Sequence, residues 1–295
     1  MRPSLSERPA RPRTRRSTLI GTIASAAMTA LLLTFTPTAA LAQEQAEPIQ
    51  YVALGDSYSS GVGAGGYLFD DLLCFRSEHA HPFVYAESIG AELDFQACGG
   101  ATIPDVHNKQ LGALSPETDL VSMGIGGNDT GWVGVLLVCA LPWSPTCHSQ
   151  IAQAEEYVVN ELPGELDALY AAVRDNAPNA EVVITGYPRL FNGTQCQCLV
   201  NIAPDDQELL NDAADLLNDV IAGVAAEHGF TFADVRDNFD GHAVCDDVEY
   251  LHGLTAPLLI ESFHPNWNGQ TYGYLPALQE AMAQFGHIED DASLV

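Results

Sequence analysis

The sequence predicts an α/β fold built on a mainly parallel sheet, and three observations carry that expectation. Short apolar runs alternate with longer helical patterns from position 51 onward, which is the arrangement of repeated strand–helix units. Several of those runs stop at glycine-bearing turns, at 55–57, 98–100 and 126–129. Strand ends of that kind are where layered α/β proteins gather ligand sites, because the loops there stand on a rigid sheet. No internal repeat, low-complexity linker or composition break divides the chain after residue 42, so a single domain is expected.

Residues 1–42 stand apart. Six arginines (Arg2, Arg8, Arg11, Arg13, Arg15 and Arg16) precede an apolar run over 19–35, and Ala40-Leu41-Ala42 closes it. A basic start, an apolar middle and a small-x-small end is the layout of a secretory signal. It predicts export and a mature domain at 43–295, the 295-residue chain less these 42 leaving 253. The Arg15-Arg16 pair also fits the twin-arginine export route. No later stretch is long and apolar enough to span a bilayer, so no stable membrane insertion is expected once the signal is gone.

Charge narrows the partners. The chain holds 11 Lys and Arg against 39 Asp and Glu. Six of the 11 and one of the 39 lie in the leader, which leaves five cations (Arg76, Lys109, Arg174, Arg189 and Arg236) against 38 acids. A surface that negative repels phosphate backbones, so nucleic acid is not an expected partner. It also disfavours anionic bilayers. Adaptation to a salty habitat and an ordinary acidic secreted protein both fit this balance.

In chain order, 51–54 reads as the first strand, an apolar run stopped by Gly55. The glycine-rich stretch 61–66 lacks the lysine of a phosphate loop. A helix is expected over 82–91, a short strand over 93–97 ending at Cys98-Gly99-Gly100, and a helix over 105–114. The run 120–125 is a third strand leading into Gly126-Gly127-Asn128-Asp129. Residues 132–148 are apolar and carry two cysteines, a candidate wall or lid for a pocket. Two helices are expected over 149–176, parted at Pro163-Gly164, then a strand at 181–186. Over 205–228, Leu209, Leu216, Leu217, Val220, Ile221 and Val224 share one helical face, and Gly229 closes the helix. A last strand at 230–235 and a last helix at 270–285 complete the set.

All seven cysteines lie in the exported part, where disulfides are permitted. Proximity suggests Cys74–Cys98 and Cys139–Cys147. The third bridge joins Cys245 to Cys198 or Cys196, leaving one thiol over. The absence of Cys-x-x-Cys or a close Cys/His quartet argues against zinc. Asp234, Asp237 and Asp240 recur every third residue, unlike a calcium loop. No metal and no cofactor is expected.

The chemistry gathers on Ser57. A serine is a weak nucleophile alone; it needs a base and donors for the negative charge that develops. Asn128, after two glycines at a strand end, is placed to aim its amide at an oxyanion. Gly100 offers a backbone N–H that no side chain obstructs, and the N–H of Ser57 is a third donor. In Glu261-Ser262-Phe263-His264-Pro265-Asn266, His264 precedes the last helix and can take the serine proton. Asp56 is expected to brace the turn through backbone amides, and the polarity of late loops accounts for His242 and His252. Trp132, Trp143, Trp267 and the run Leu136-Leu137-Val138 are candidates for contact with an acyl chain or for core packing.

Together and in this order, these residues resemble the SGNH, or GDSL, family of serine hydrolases. Gly55-Asp56-Ser57-Tyr58-Ser59 matches the first block, Gly100 the second, Gly127-Asn128-Asp129 the third and His264 the last. The cysteine layout and the Ser-x-His-Pro ending look most like the family's secreted bacterial lipases and esterases. The resemblance implies a three-layer α/β/α sandwich with a flavodoxin-like, mainly parallel sheet. It implies Ser57 as nucleophile, His264 as base and acid, and an oxyanion hole from the N–H groups of Ser57 and Gly100 and the side chain of Asn128. The family often has Asp three residues before the histidine, where this chain has Glu261. Either Glu261 orients the ring or a main-chain carbonyl near Ser262 does, as in some secreted members; the local match leans to the carbonyl. The α/β-hydrolase elbow Gly-x-Ser-x-Gly does not fit, since position 59 is Ser.

The implied activity is that of a secreted, monomeric serine esterase or lipase. It would act on small-molecule or lipid esters of fatty acyl chains through an acyl-Ser57 intermediate. Carbohydrate deacetylation or phospholipid hydrolysis at the same site are the alternatives, and a non-catalytic acyl- or glycan-binding protein is the third.

Overall fold

The computed structural model describes residues 47–141, 144–196, 202–255, 257 and 259–285. Residues 1–42, expected to be a secretory signal, and Trp143 and Cys198 lie outside them. Strand β1 (Gln50–Gly55) leads into the one-turn helix α1 (Ser57–Ser60). Helix α2 (His81–Ile89), strand β2 (Glu92–Phe95) and the short helix α3 (Ile103–Asp105) follow, then strand β3 (Leu120–Gly124). Three helices come next: α4 (Trp132–Ala140), α5 (Cys147–Asn160) and α6 (Leu162–Asn176). Strand β4 (Glu181–Thr185), helix α7 (Pro204–Glu227), strand β5 (Thr231–Ala233) and helix α8 (Leu275–Ala283) complete the chain.

All five strands pair in parallel, in the order β2-β1-β3-β4-β5. Helices α2 and α8 pack together on one face, and α5, α6 and α7 pack together on the other. This is the α/β arrangement expected. Strands covered on both sides should read as unbroken apolar runs; β3 is buried along its whole length, and only the first residue of β1 and of β4 is partly exposed. The strand order reverses between β1 and β3, and ligands of such sheets bind at that switch point, outside the carboxyl ends of the strands. Ser57 follows β1 and Asn128 follows β3, so both stand at this crevice.

The two strand ends approach very closely. Gly55 has φ +120°, and a Cβ there would collide with the carbonyl of Gly124, so both the dihedral and the space require glycine. Ser59 Oγ accepts the Gly124 N–H at 3.0 Å. The serine at position 59 thus caps β3 where another hydrolase elbow would have glycine.

Several elements differ from expectation. The stretch 105–114 is a short α3 continued by a wide turn at Val106–Gln110 and a tight one at Leu111–Ala113. The last helix opens with a wide turn, Gly269–Tyr274. The break between α5 and α6 falls at Glu161, with Pro163 in the first turn of α6, where its missing N–H costs nothing. In α7 the buried stripe is Leu210, Ala213, Ala214, Leu217, Ile221 and Val224, while Leu209, Leu216 and Val220 are only partly buried. Weighting large apolar residues rotated the expected face, because two alanines and the buried Asn218 lie on the true one.

Bridges Cys74–Cys98 and Cys139–Cys147 form as expected. The third corrects the assignment of Cys198: Cys245 is bonded to Cys196, with Cα atoms 5.5 Å apart. The parallel bridge between Phe191 and Val244 carries the chain after Phe191 past Cys245, a long-range pairing that cysteine spacing does not encode. Among the described residues no helix is long and apolar enough to cross a membrane.

Candidate active site

Ser57 and His264, 207 residues apart in sequence, meet at the carboxyl end of β1, with Ser57 Oγ 2.7 Å from His264 Nε2. The opposite ring nitrogen, Nδ1, lies 2.9 Å from the Ser262 carbonyl. A carbonyl only accepts, so Nδ1 carries the proton and Nε2 presents its lone pair to the serine hydroxyl, which donates. The ring is thereby held in the tautomer a general base needs. Burial lowers the His264 pKa to about 4, against a raising effect of the Ser262 carbonyl, so the imidazole is neutral at pH 7.

The carbonyl reaches its own neighbour's ring because the intervening Phe263 is left-handed, at φ +60°. A bulky residue there is strained and must be held by its surroundings. Two contacts hold it. Phe263 N–H donates to the His252 carbonyl at 3.1 Å, and Tyr58 Oη donates to the Phe263 carbonyl at 2.6 Å. The Tyr58 ring also packs on His264, with centroids 5.1 Å apart.

Glu261 takes no part in orienting the ring. Its Oε1 accepts from Tyr67 Oη at 2.6 Å, and Tyr67 Oη in turn accepts the Gly63 N–H. Of the two candidates for the histidine's partner the geometry therefore selects the carbonyl of Ser262, and the role of Glu261 is corrected to anchoring the 63–67 loop. Glutamine preserves the acceptor, so Glu261→Gln should change kcat/KM by less than about tenfold, about 1.4 kcal/mol. With His264 as the base, both proteins should show the acid limb of kcat/KM near pH 4 and not near 6.5, because a base must be neutral and that form is lost as pH falls through its folded-state pKa. A pH profile of each checks this; a loss of thousands in the variant would return the triad.

Asp56 braces the site as expected and reaches further. It is buried; Oδ1 accepts the Tyr58 N–H at 2.9 Å and Oδ2 accepts Tyr187 Oη at 2.6 Å. Burial pushes its carboxyl up to about 7 against those hydrogen bonds. Tyr187 Oη accepts the Gly127 N–H at 3.2 Å, so one phenol ties the serine turn to the asparagine turn. Asn218 clamps both backbone polar groups of Tyr187 at 2.8 Å. Tyr58, Tyr187 and Asn218 were not singled out from the sequence. Tyr58 sits inside the serine block, but the other two carry no local signal.

The asparagine turn also holds the Gly100 loop. Asn128 Nδ2 donates to the Ala101 carbonyl at 2.8 Å, and Asp129 Oδ1 accepts the Ile103 N–H at 2.9 Å. Asn128 keeps its second amide hydrogen. Gly100 has φ +77°, and neither its N–H nor that of Ser57 has a protein acceptor among the described residues. Ser57, Gly100, Asn128 and His264 all line one cavity of about 340 Å³.

The cavity is apolar beyond the Ser57–His264 end. Trp132, Leu136 and Leu137 line it, as do Leu190, Leu217 and Phe263. Of the residues expected to face an acyl chain, Val138 and Trp267 do not line it, and Trp267 packs edge-on against Tyr272. The 132–148 stretch thus supplies a wall through α4, anchored by the Cys139–Cys147 bridge. His252 donates from Nε2 to the Gly63 carbonyl, and His242 stacks on Tyr250, so both have structural partners.

Residues 53–272 match the GDSL-like Lipase/Acylhydrolase family. Lipase 1 of Streptomyces coelicolor is 46% identical over 270 residues, covering 90% of this chain and 99% of that one. The crystal structure of an extracellular lipase from Streptomyces rimosus superposes with a TM-score of 0.76 at 44% identity, covering 79% of this chain and 99% of that one. A phospholipase A1 from Streptomyces albidoflavus gives the same TM-score and coverage at 42% identity.

Proposed function

The chain belongs to the GDSL-like lipase/acylhydrolase family and is a carboxylic ester hydrolase, and from that premise we propose that it hydrolyses fatty acyl esters through an acyl-Ser57 intermediate. The observation that carries the reading is the 2.7 Å contact of Ser57 Oγ with the Nε2 of a neutral His264 at the end of an apolar cavity. Ser57 Oγ attacks the ester carbonyl carbon while Nε2 takes its proton. The carbonyl oxygen becomes an oxyanion facing the N–H groups of Ser57 and Gly100 and the free amide hydrogen of Asn128. Collapse breaks the carbon–oxygen bond of the alcohol, which leaves with the proton from Nε2. Water then attacks the acyl-serine by the same route, releasing the acid and restoring Ser57. The Ser262 carbonyl stabilises the imidazolium and fixes the tautomer, the part a carboxylate plays in a triad.

The leader at 1–42 acts, in this reading, as an export signal, and 43–295 as the catalytic domain of an extracellular enzyme; the three disulfides suit an oxidising compartment. The similarity to a phospholipase A1 favours phospholipid acyl esters as a second substrate class. Deacetylation of carbohydrate fits less well, since the cavity walls are mostly aliphatic.

Hydrolysis of p-nitrophenyl esters from acetyl to palmitoyl, with Ser57→Ala as control, tests the reading. Activity should rise from acetyl toward longer chains and vanish in the variant. Activity confined to acetyl would remove the fatty acyl assignment.

A further inference from the structure

Two exposed apolar segments line the active-site cavity, and a third is tethered beside it. Phe69, Leu72 and Leu73 are 92%, 63% and 81% exposed, on a loop closed at its base by the Tyr67–Ser77 bridge and the Cys74–Cys98 disulfide. On α4, Val133 and Leu137 are exposed, and so are Leu259 and Ile260 just before Ser262. These last four also line the cavity, so each faces the site on one side and water on the other. The first segment is tied to the same rim. Tyr67 is bonded to Glu261, and the Leu73 carbonyl lies beside Gly99, whose N–H donates to the Cys74 carbonyl one residue before Gly100.

Scattered exposed apolar side chains are ordinary, but a set gathered about one opening marks an interaction surface. Charge selects its occupant. Arg76 is held by Asp70, Lys109 by Asp105, Arg189 by Asp215 and Arg236 by Asp234. Arg174 donates to the Ala180 carbonyl and lies over Phe230. None of these five cations lies in the three apolar segments, and the nearest in sequence, Arg76, is paired with Asp70, so the rim itself offers no cation to an anionic headgroup. A second copy would bring the same excess of acid, including Asp70 and Asp71 at the loop tip.

We propose that this apolar rim docks the enzyme onto an electrically neutral, zwitterionic phospholipid surface, with Phe69, Leu72 and Leu73 inserting beside the cavity mouth. The proposal rests on the acyl-hydrolase reading of the cavity. The disulfide and the Arg76–Asp70 pair, 2.7 Å long, hold the loop in place beforehand, so insertion orders little new chain. An ester drawn from the layer would enter along Val133, Leu137, Leu259 and Ile260 without leaving an apolar path.

Flotation with phosphatidylcholine vesicles tests it, using the full chain carrying Ser57→Ala so that binding is read without turnover. That protein should float with phosphatidylcholine vesicles and bind more weakly when phosphatidylglycerol replaces part of the lipid. Adding Phe69→Ser, Leu72→Ser and Leu73→Ser should weaken binding by about tenfold or more. With Ser57 restored, the triple variant should hydrolyse soluble p-nitrophenyl acetate like the parent. If that activity is lost, single Phe69→Ser replaces the triple in the same comparison. No binding to neutral vesicles, binding that requires phosphatidylglycerol, or undiminished binding of the loop variant would each overturn the proposal. So would self-association abolished by the variant, which would assign the rim to a second copy. All of these outcomes leave the ester-hydrolysis assay untouched.

Discussion

Ser57→Ala and His264→Ala should each lower kcat/KM on a p-nitrophenyl ester by about 10⁴- to 10⁶-fold, or about 5–8 kcal/mol of transition-state stabilisation. The double variant should be no worse than either single one. In the proposed mechanism Ser57 Oγ and His264 Nε2, 2.7 Å apart, act as a unit, so removing the second partner of a pair already broken costs nothing more. Neither substitution should unfold the protein. Ser57 loses only a hydroxyl, and the strained Phe263 that positions the histidine is still held by Tyr58 Oη and by the pairing of 252 with 264. Thermal midpoints beside the kinetics separate the two effects. A single variant within tenfold of the parent, or a double variant worse by the product of the two losses, would show that these groups do not form one nucleophile–base pair.

The same pair shows where sequence reasoning reaches and where it stops. Ser57 and Asn128 were legible because each stands in a glycine-rich block directly after an apolar run, a signal carried by neighbouring residues. His264 was legible only through its order after those blocks. What holds it was legible as an alternative and no further: Glu261 and the Ser262 carbonyl are both local, and Glu261 is taken by Tyr67, which lies 194 positions away. The brace on Asp56 comes from Tyr187, 131 positions away, and Tyr187 is held by Asn218 on α7. Periodicity reports which face of a helix is buried, not which polar group on that face meets a distant backbone. The stripe on α7 was misplaced for a related reason, since small and polar residues occupy the buried face beside leucines. The inner strands of the sheet, in contrast, were legible, because strands covered on both sides read as apolar runs whatever they pair with; edge strand β2 alternates and is half-exposed.

Asn128→Ala should lower kcat by about 10²- to 10³-fold, about 2.7–4 kcal/mol, with a much smaller change in KM. The split follows from where the amide acts: the oxyanion exists in the transition state and not in the bound ester, so its donor contributes to kcat. Asn128 has a second duty, since Nδ2 also donates to the Ala101 carbonyl and so steadies the loop that presents the Gly100 N–H. On the proposed mechanism the substitution therefore removes one oxyanion donor and loosens another. Asp129 still accepts the Ile103 N–H, which keeps the loop tethered and should leave the thermal midpoint within a few degrees of the parent. Asn128→Asp separates shape from chemistry. It keeps the side chain's volume but has no N–H to donate, and its charge opposes the oxyanion, so it should lose at least as much as alanine. If aspartate retained kcat within tenfold of the parent, the amide of Asn128 would be a packing group, and the oxyanion would rest on the backbone N–H groups of Ser57 and Gly100 alone.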